Sequence, residues 1–193
     1  DKANTTALET AKDELKAEAA KENVTAGKTP ATAEKYDAAK AAADQAVKEA
    51  ETVIGNPDAT SEEVATALAN VNAKKSALAD AKSALVEAAT AEQKATLAED
   101  ASKLVAASKD GKTPSSIAAY EAKIQDLTAD LEAAKAAAEA VKTAGENASK
   151  ADAIAAQAKV NDMKAKLAEA ATLLKDKANT TALETAKDEL KAE

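Results

Sequence analysis

The sequence predicts an all-α protein: two tandem antiparallel three-helix bundles set end to end in an elongated rod, followed by the first helix of a further repeat. Three observations carry this expectation. Nearly a third of the 193 residues are alanine, and there is no Phe, no Trp and only two Tyr, Tyr36 and Tyr120. Alanine, leucine, lysine and glutamate are the strongest helix formers. Burying a large side chain is worth roughly 1.5–3 kcal/mol and alanine contributes far less, so these helices must lie close together in thin bundles. Apolar residues also keep helical spacing: Val64, Leu68, Val71, Leu78 and Leu85 climb one stripe, and Ile117, Tyr120, Ile124, Leu127 and Leu131 climb another. No run alternates with the period of two that a strand requires. Finally, the chain repeats itself. Residues 1–18 recur without a change at 176–193, which sets a unit of 175 residues.

An older repeat lies inside that unit. Gly27-Lys28-Thr29-Pro30 returns as Gly111-Lys112-Thr113-Pro114, and Tyr36 returns as Tyr120, both at an offset of 84. Val71, Leu78 and Leu85 return as Val160, Leu167 and Leu174 at an offset of 89, as do Leu8 and Leu15 at Leu97 and Leu104. About five extra residues fall near Gly145. The domain reading is therefore a first bundle at 1–89, a second at 90–177, and the opening of a next repeat at 178–193.

Local signals set the helix ends. Thr29-Pro30 and Thr113-Pro114 each read as an N-cap followed by proline at the first helical position. Capping boxes are expected at Thr6–Glu9, Thr60–Glu63 and Thr90–Gln93. Gly55-Asn56-Pro57-Asp58 is a stop and turn, with Gly145-Glu146-Asn147 as its counterpart. Helices are thus expected near 5–23, 30–53, 60–88, 91–108, 114–143 and 150–177, with another from about 180. The joints at Thr90 and Asn179 lack glycine and proline. The third helix of one bundle is accordingly expected to run almost directly into the first helix of the next.

Charge narrows the partners. The formal net charge is −8, and every cation is lysine. An acidic chain without a basic patch does not suit nucleic acid, where neutralising phosphates supplies most of the affinity, nor an anionic membrane surface. No stretch approaches the ~18 apolar residues of a membrane span. The polar start DKANTTALETAK has no leader, so the sequence is expected to begin within a longer protein.

Catalysis finds no footing. Without histidine or cysteine, Ser-His and Cys-His arrangements and thiolate metal sites are impossible. The carboxylates sit beside lysines at helix-surface spacing, as in Glu9 with Lys12 or Glu132 with Lys135, and read as solvated pairs. Gly-Lys-Thr in the repeated motif lacks the preceding glycine of a phosphate loop, and Asp58 beside Asn56 lacks the spacing of a calcium loop. The expectation is no enzyme, no cofactor and no metal. Tyr36 and Tyr120 remain as possible ligand contacts, since tyrosine is enriched at binding hot spots. Their place on the apolar stripe favours the other reading, in which each ring plugs a bundle end and its hydroxyl bonds a loop.

Tyr36, Val47, Val53, the run Asn56-Pro57-Asp58-Ala59-Thr60, then Val64, Leu68 and Leu78 together resemble the FIVAR module. The resemblance covers 29–85 and, more loosely, 113–174. The paired Gly-Lys-Thr-Pro segments also resemble the streptococcal surface repeat of fibronectin-binding adhesins. The chain lacks the tryptophan common early in the first FIVAR helix, and its second module carries Gly145-Glu146-Asn147-Ala148-Ser149 in place of the Asn-Pro-Asp-Ala-Thr run. The resemblance implies a repeat of a cell-wall-anchored, extracellular Gram-positive adhesin, monomeric within a longer array. It would act as a helical stalk and contribute to attachment to a host matrix glycoprotein such as fibronectin. One alternative is a direct fibronectin- or plasminogen-binding module with no spacer role. An intracellular coiled-coil scaffold fits less well, because the turns interrupt any continuous heptad.

Overall fold

The computed structural model describes residues 3–192. They form seven α-helices and one 3-10 turn, and among the described residues there is no β-strand. The chain divides into two compact units, Asp1–Ala89 with Ala144–Ala151, and Thr90–Thr143 with Asp152–Glu193.

Unit 1 is built from α1 (Thr6–Ala19), α2 (Pro30–Gly55) and α3 (Ser61–Ser83), each packed on the other two. Leu8, Ala11, Leu15 and Ala19 recur every three or four residues and form the buried face of α1. They meet Tyr36, Ala43, Val47 and Ala50 of α2 and Val64, Val71 and Leu78 of α3 in one core. Ala43 and Ala50 are completely buried, and their small side chains let neighbouring helices approach closely. Lys16–Glu51 at 3.0 Å, Lys82–Glu18 at 2.7 Å and Lys75–Glu14 tie α1 to the other two helices along the rim. Such exposed pairs contribute about 0–1 kcal/mol each, so the leucines dominate.

The starts of the helices follow their caps. Thr60 and Thr90 form complete capping boxes, their hydroxyls accepting from the Glu63 and Gln93 amides while those side chains accept from the cap amides. The box expected at Thr6–Glu9 does not form: the N-cap is Thr5, and its side chain makes no capping bond. Asn4 Oδ1 accepts from the Thr6 amide at 2.9 Å, and the Thr5 hydroxyl donates to Glu9 at 2.7 Å. Thr29 stands at the N-cap of α2 with Pro30 first in the helix, but its side chain makes no capping bond.

The ends differ from the expectation. α1 stops at Ala19, α3 at Ser83, α4 (Ala91–Ser102) at Ser102, and α6 (Lys150–Ala171) at Ala171. Each is four to six residues shorter than the stretch read from propensity, and α3 does not run into α4. For α3 and α6 the cause is tertiary. Residues after α3 extend to pair with the loop before α2, where Thr29 N–H donates to the Val86 carbonyl at 2.8 Å and Ala88 N–H to the Gly27 carbonyl at 2.9 Å. Those bonds replace helical ones, so the backbone stays satisfied.

Unit 1 also holds the turn Ala144–Ala151, including the 3-10 segment Gly145–Asn147. Ala89 N–H donates to the Ala148 carbonyl and Lys150 N–H to the Glu87 carbonyl, both at 2.8 Å. Asn147 Oδ1 accepts from Ala31 N–H, also at 2.8 Å.

In unit 2, α4, α5 (Pro114–Ala144) and α6 carry buried stripes made of Leu97, then Tyr120, Leu127, Ala134 and Val141, then Val160, Met163 and Leu167. Asp100 of α4 accepts from Gln157 and Lys164 of α6, both at 2.7 Å. Lys166 of α6 bonds Asp130 of α5 at 2.7 Å. α7 (Thr181–Ala192) has no buried residue.

Candidate functional site

The two tyrosines lie early in α2 and α5, and both are 2% exposed. The structure gives them different surroundings. Tyr120 Oη accepts from the Ala107 amide at 2.6 Å, fastening the loop after α4 to α5. Position 23 is the counterpart of Ala107 at the offset of 84, and Asn23 there takes a left-handed φ of 59°. The loop follows another course, and the buried Tyr36 Oη has no hydrogen-bond partner within the protein. An open pocket of about 310 Å³ lies beside it, lined by Lys21, Asn23, Thr25, Tyr36, Asp37 and Lys40. Both rings are thus almost wholly buried, and Tyr36 also lines that pocket.

The glycine, threonine and proline of the Gly-Lys-Thr-Pro motif each have a defined role. Gly27 and Gly111 both take φ 68°, which L side chains rarely adopt. Their carbonyls accept from Ala88 and Lys177, while Thr29 and Thr113 donate to Val86 and Lys175. Pro30 and Pro114 begin α2 and α5, whose first amides need no helical partner. A further pair of hydroxyls completes the clasp. Thr32 Oγ1 accepts from Val86 N–H at 3.2 Å, and Ser116 Oγ accepts from Lys175 N–H at 3.1 Å. Sequence reading missed Thr32 and Ser116. Their signal was a hydroxyl residue two places after proline in both copies, at the same offset of 84 as the motif.

Two open grooves lie among the described residues. One of about 650 Å³ runs between α2 and α3, lined by Glu49, Val53, Glu62, Glu63, Thr66 and Asn70. Another of about 450 Å³ lies between α4 and α6, lined by Glu92, Thr96, Ile154, Gln157, Ala158 and Asn161. Ile154 is 54% exposed there. Nothing in the sequence marked these grooves, because they depend on how helices pair rather than on any motif.

Titration shifts follow the ion pairs and caps. The Lys21 and Lys82 ammoniums hold Glu18 below the usual carboxylate range. The Thr60 amide does the same for Glu63, Lys150 for Glu87, and Lys164 with Gln157 for Asp100. Each shift favours an ionised carboxylate, as expected of a structural pair rather than a general acid. Among the described residues, no group of three or more Asp or Glu could hold a metal ion. No helix among them is long and apolar enough to cross a membrane.

Residues 11–79 match the FIVAR domain model. The FIVAR segment begins inside α1 and ends inside α3, taking in the first Gly-Lys-Thr-Pro motif, Tyr36 and the turn after α2. It covers just over a third of the chain and starts earlier than the 29–85 expected from sequence. In that turn Asn56 Oδ1 accepts from the Asp58 amide at 3.0 Å, and Ala59 is buried in the core. No curated protein matches the chain. Among solved structures it is similar to a Staphylococcus epidermidis chain, described as "Characterization of extracellular matrix binding protein- (Embp)-mediated Staphylococcus epidermidis adherence to fibronectin". The two are 26% identical, with 87% of this chain and 98% of the other covered, at a TM-score of 0.34.

Proposed function

We propose that this chain is a repeat segment of a bacterial surface adhesin. Its modules would form an extended helical stalk and contribute to attachment to a host matrix glycoprotein of the fibronectin kind. The observation that carries the reading is the FIVAR match over residues 11–79. Residues 1–18 returning unchanged at 176–193 add to it. Faithful copying of a large unit lengthens a protein, whereas an enzyme gains little from it. In this reading 1–89 and 90–177 are successive antiparallel three-helix modules laid end to end in a rod, and 178–193 opens the next. The chain is extracellular and wall-anchored through segments of the longer protein, and it works without catalysis.

Ligand contact in this reading falls to the open grooves, with Tyr36 at its pocket and Tyr120 as the further candidates named from sequence. Several weak sites in series gain avidity without any single strong site. The experiment is biolayer interferometry of the chain over immobilised fibronectin. Saturable binding that strengthens when several repeats are joined is the expected result. Absence of a response from both the single chain and the joined repeats sinks the adhesive part of the reading.

A further inference from the structure

The extended residues 86–89 are bonded along both edges, all within unit 1. On one edge Thr29 N–H donates to the Val86 carbonyl and Ala88 N–H to the Gly27 carbonyl, closing the clasp. On the other, Ala89 N–H donates to the Ala148 carbonyl and Lys150 N–H to the Glu87 carbonyl, which seats the turn Ala144–Ala151. Asn147 Oδ1 adds a third bond to that turn, accepting from the Ala31 amide at the start of α2.

The sequence offsets carry each of these groups to a second place. Residues 175–178 are the counterpart of 86–89 at the offset of 89. They close the same clasp in unit 2, where Thr113 N–H donates to the Lys175 carbonyl and Lys177 N–H to the Gly111 carbonyl, both at 2.8 Å. The turn after α2 is likewise the counterpart of the turn after α5. Ala59 N–H donates to the Asn56 carbonyl at 3.3 Å, as Ala148 N–H does to the Gly145 carbonyl at 3.4 Å. Asp176-Lys177-Ala178 repeats the sequence of residues 1–3. In unit 1, Ala3 N–H donates to the Ala59 carbonyl at 3.4 Å, the bond that Ala89 makes to Ala148. One three-residue sequence thus closes the clasp in unit 2 and meets the turn after α2 in unit 1.

We propose that Asp176–Ala178 is the docking segment for the following copy of the repeat in the same chain, and that it receives the turn Asn56–Ser61 of that copy. Ala178 N–H donates to the following copy's Ala59 carbonyl, and the following copy's Ser61 N–H donates to the Asp176 carbonyl. Asp58 of that copy stands where Asn147 stands at the offset of 89. Its carboxylate accepts from the Ser115 amide, the counterpart of Ala31 at the offset of 84. Ser115 lies in the first turn of α5, where amides lack helical partners and an anionic acceptor is favoured. The segment is then bonded along both edges, as 86–89 is, and no unbonded linker separates one repeat from the next. The inference rests on the reading of the chain as a repeat segment, and it holds whether or not the repeats bind fibronectin.

The test joins two copies, residues 1–175 followed by the whole of 1–193, and compares amide hydrogen exchange with that of the single chain. Segmental isotope labelling lets NMR read each copy by itself, and slow exchange at Thr29 and Ala88 in both copies reports that both are folded. The Ala178 amide should exchange at least about tenfold more slowly in the joined protein than in the single chain, approaching Ala89. Ser61→Pro in the following copy removes the donor to the Asp176 carbonyl. Proline suits a first helical position, and Thr60 already has the ψ of 160° that a residue before proline favours. This variant should speed Ala178 exchange at least about threefold, and the same substitution in the first copy should leave it unchanged. Equal Ala178 exchange in joined and single chains, with Thr29 and Ala88 protected, overturns the docking and leaves the repeat reading standing. An equal effect of Ser61→Pro from either copy overturns it as well, because the comparison of joined and single chains then reports something other than this contact.

Discussion

At the scale of single residues, the two tyrosines make opposite predictions from the same substitution. Tyr120→Phe removes the acceptor of the Ala107 amide, and losing such a bond costs about 0.5–1.5 kcal/mol. Tyr36→Phe removes a buried hydroxyl with no partner in the protein, so stability stays level or rises. Urea titrations of the two variants against the parent check this, and equal destabilisation by both would contradict the assigned environments. The sequence placed both rings on an apolar stripe at matched positions. The apolar stripe did not reveal their difference, which lies in the loop course at Asn23, where asparagine tolerates a positive φ better than the alanine at 107 would. The hydroxyls of Thr32 and Ser116 escaped notice for a related reason. Their partners are amides 54 and 59 residues away, and only the folded chain brings them together.

At the scale of elements, helix starts were legible, as were the ends of α2 and α5 beside Gly55 and Gly145, whereas the ends of α1, α3, α4 and α6 were not. Thr60, Thr90, Pro30 and Pro114 are local signals whose chemistry acts within one turn, and the helices begin beside them. Residues after Ser83 and Ala171 are ordinary helix formers that leave the helix for partners near Gly27 and Gly111. No local rule predicts that exchange. Alanine also blurred the buried faces, since it occupies core and surface alike. The repeated helix offers a direct test of packing over propensity. Leu8→Ala opens a cavity in the fully buried face of α1 and costs about 2–5 kcal/mol. Leu183→Ala makes the same change in the same local sequence at an exposed site, and should stay within about 0.5 kcal/mol. Denaturant melts followed by ellipticity distinguish them. Equal costs would mean that α7 is packed as α1 is.

At the scale of the whole molecule, small cores and many surface ion pairs set the response to pH. Glu18, Glu63 and Glu87 are held below their ordinary value of 4.5, and Asp100 below 3.8. Their contribution is fully present above those values and is lost as the pH falls through the lower folded ones. Lys82, Lys103, Lys109 and Lys166 are raised above 10.5 by bonded carboxylates, so their contribution fades only as the pH climbs past that value. The melting temperature should be level from neutral pH down to about 5 and decline below about 4.5. A decline beginning near pH 6.5 would contradict this, since the chain has no histidine.

The repeat architecture was the most legible feature of all. It is written in sequence offsets, and matched offsets put the same clasp at Gly27–Pro30 and Gly111–Pro114. The claim that the modules extend rather than fold back is settled most directly by small-angle X-ray scattering of the chain. α2 has 26 residues and α5 has 31, so at 1.5 Å per residue they span about 39 and 46 Å. Laid end to end they give a maximum dimension of at least about 85 Å and a radius of gyration near 25–30 Å. A value near 16 Å, that of a compact chain of this length, would contradict the stalk.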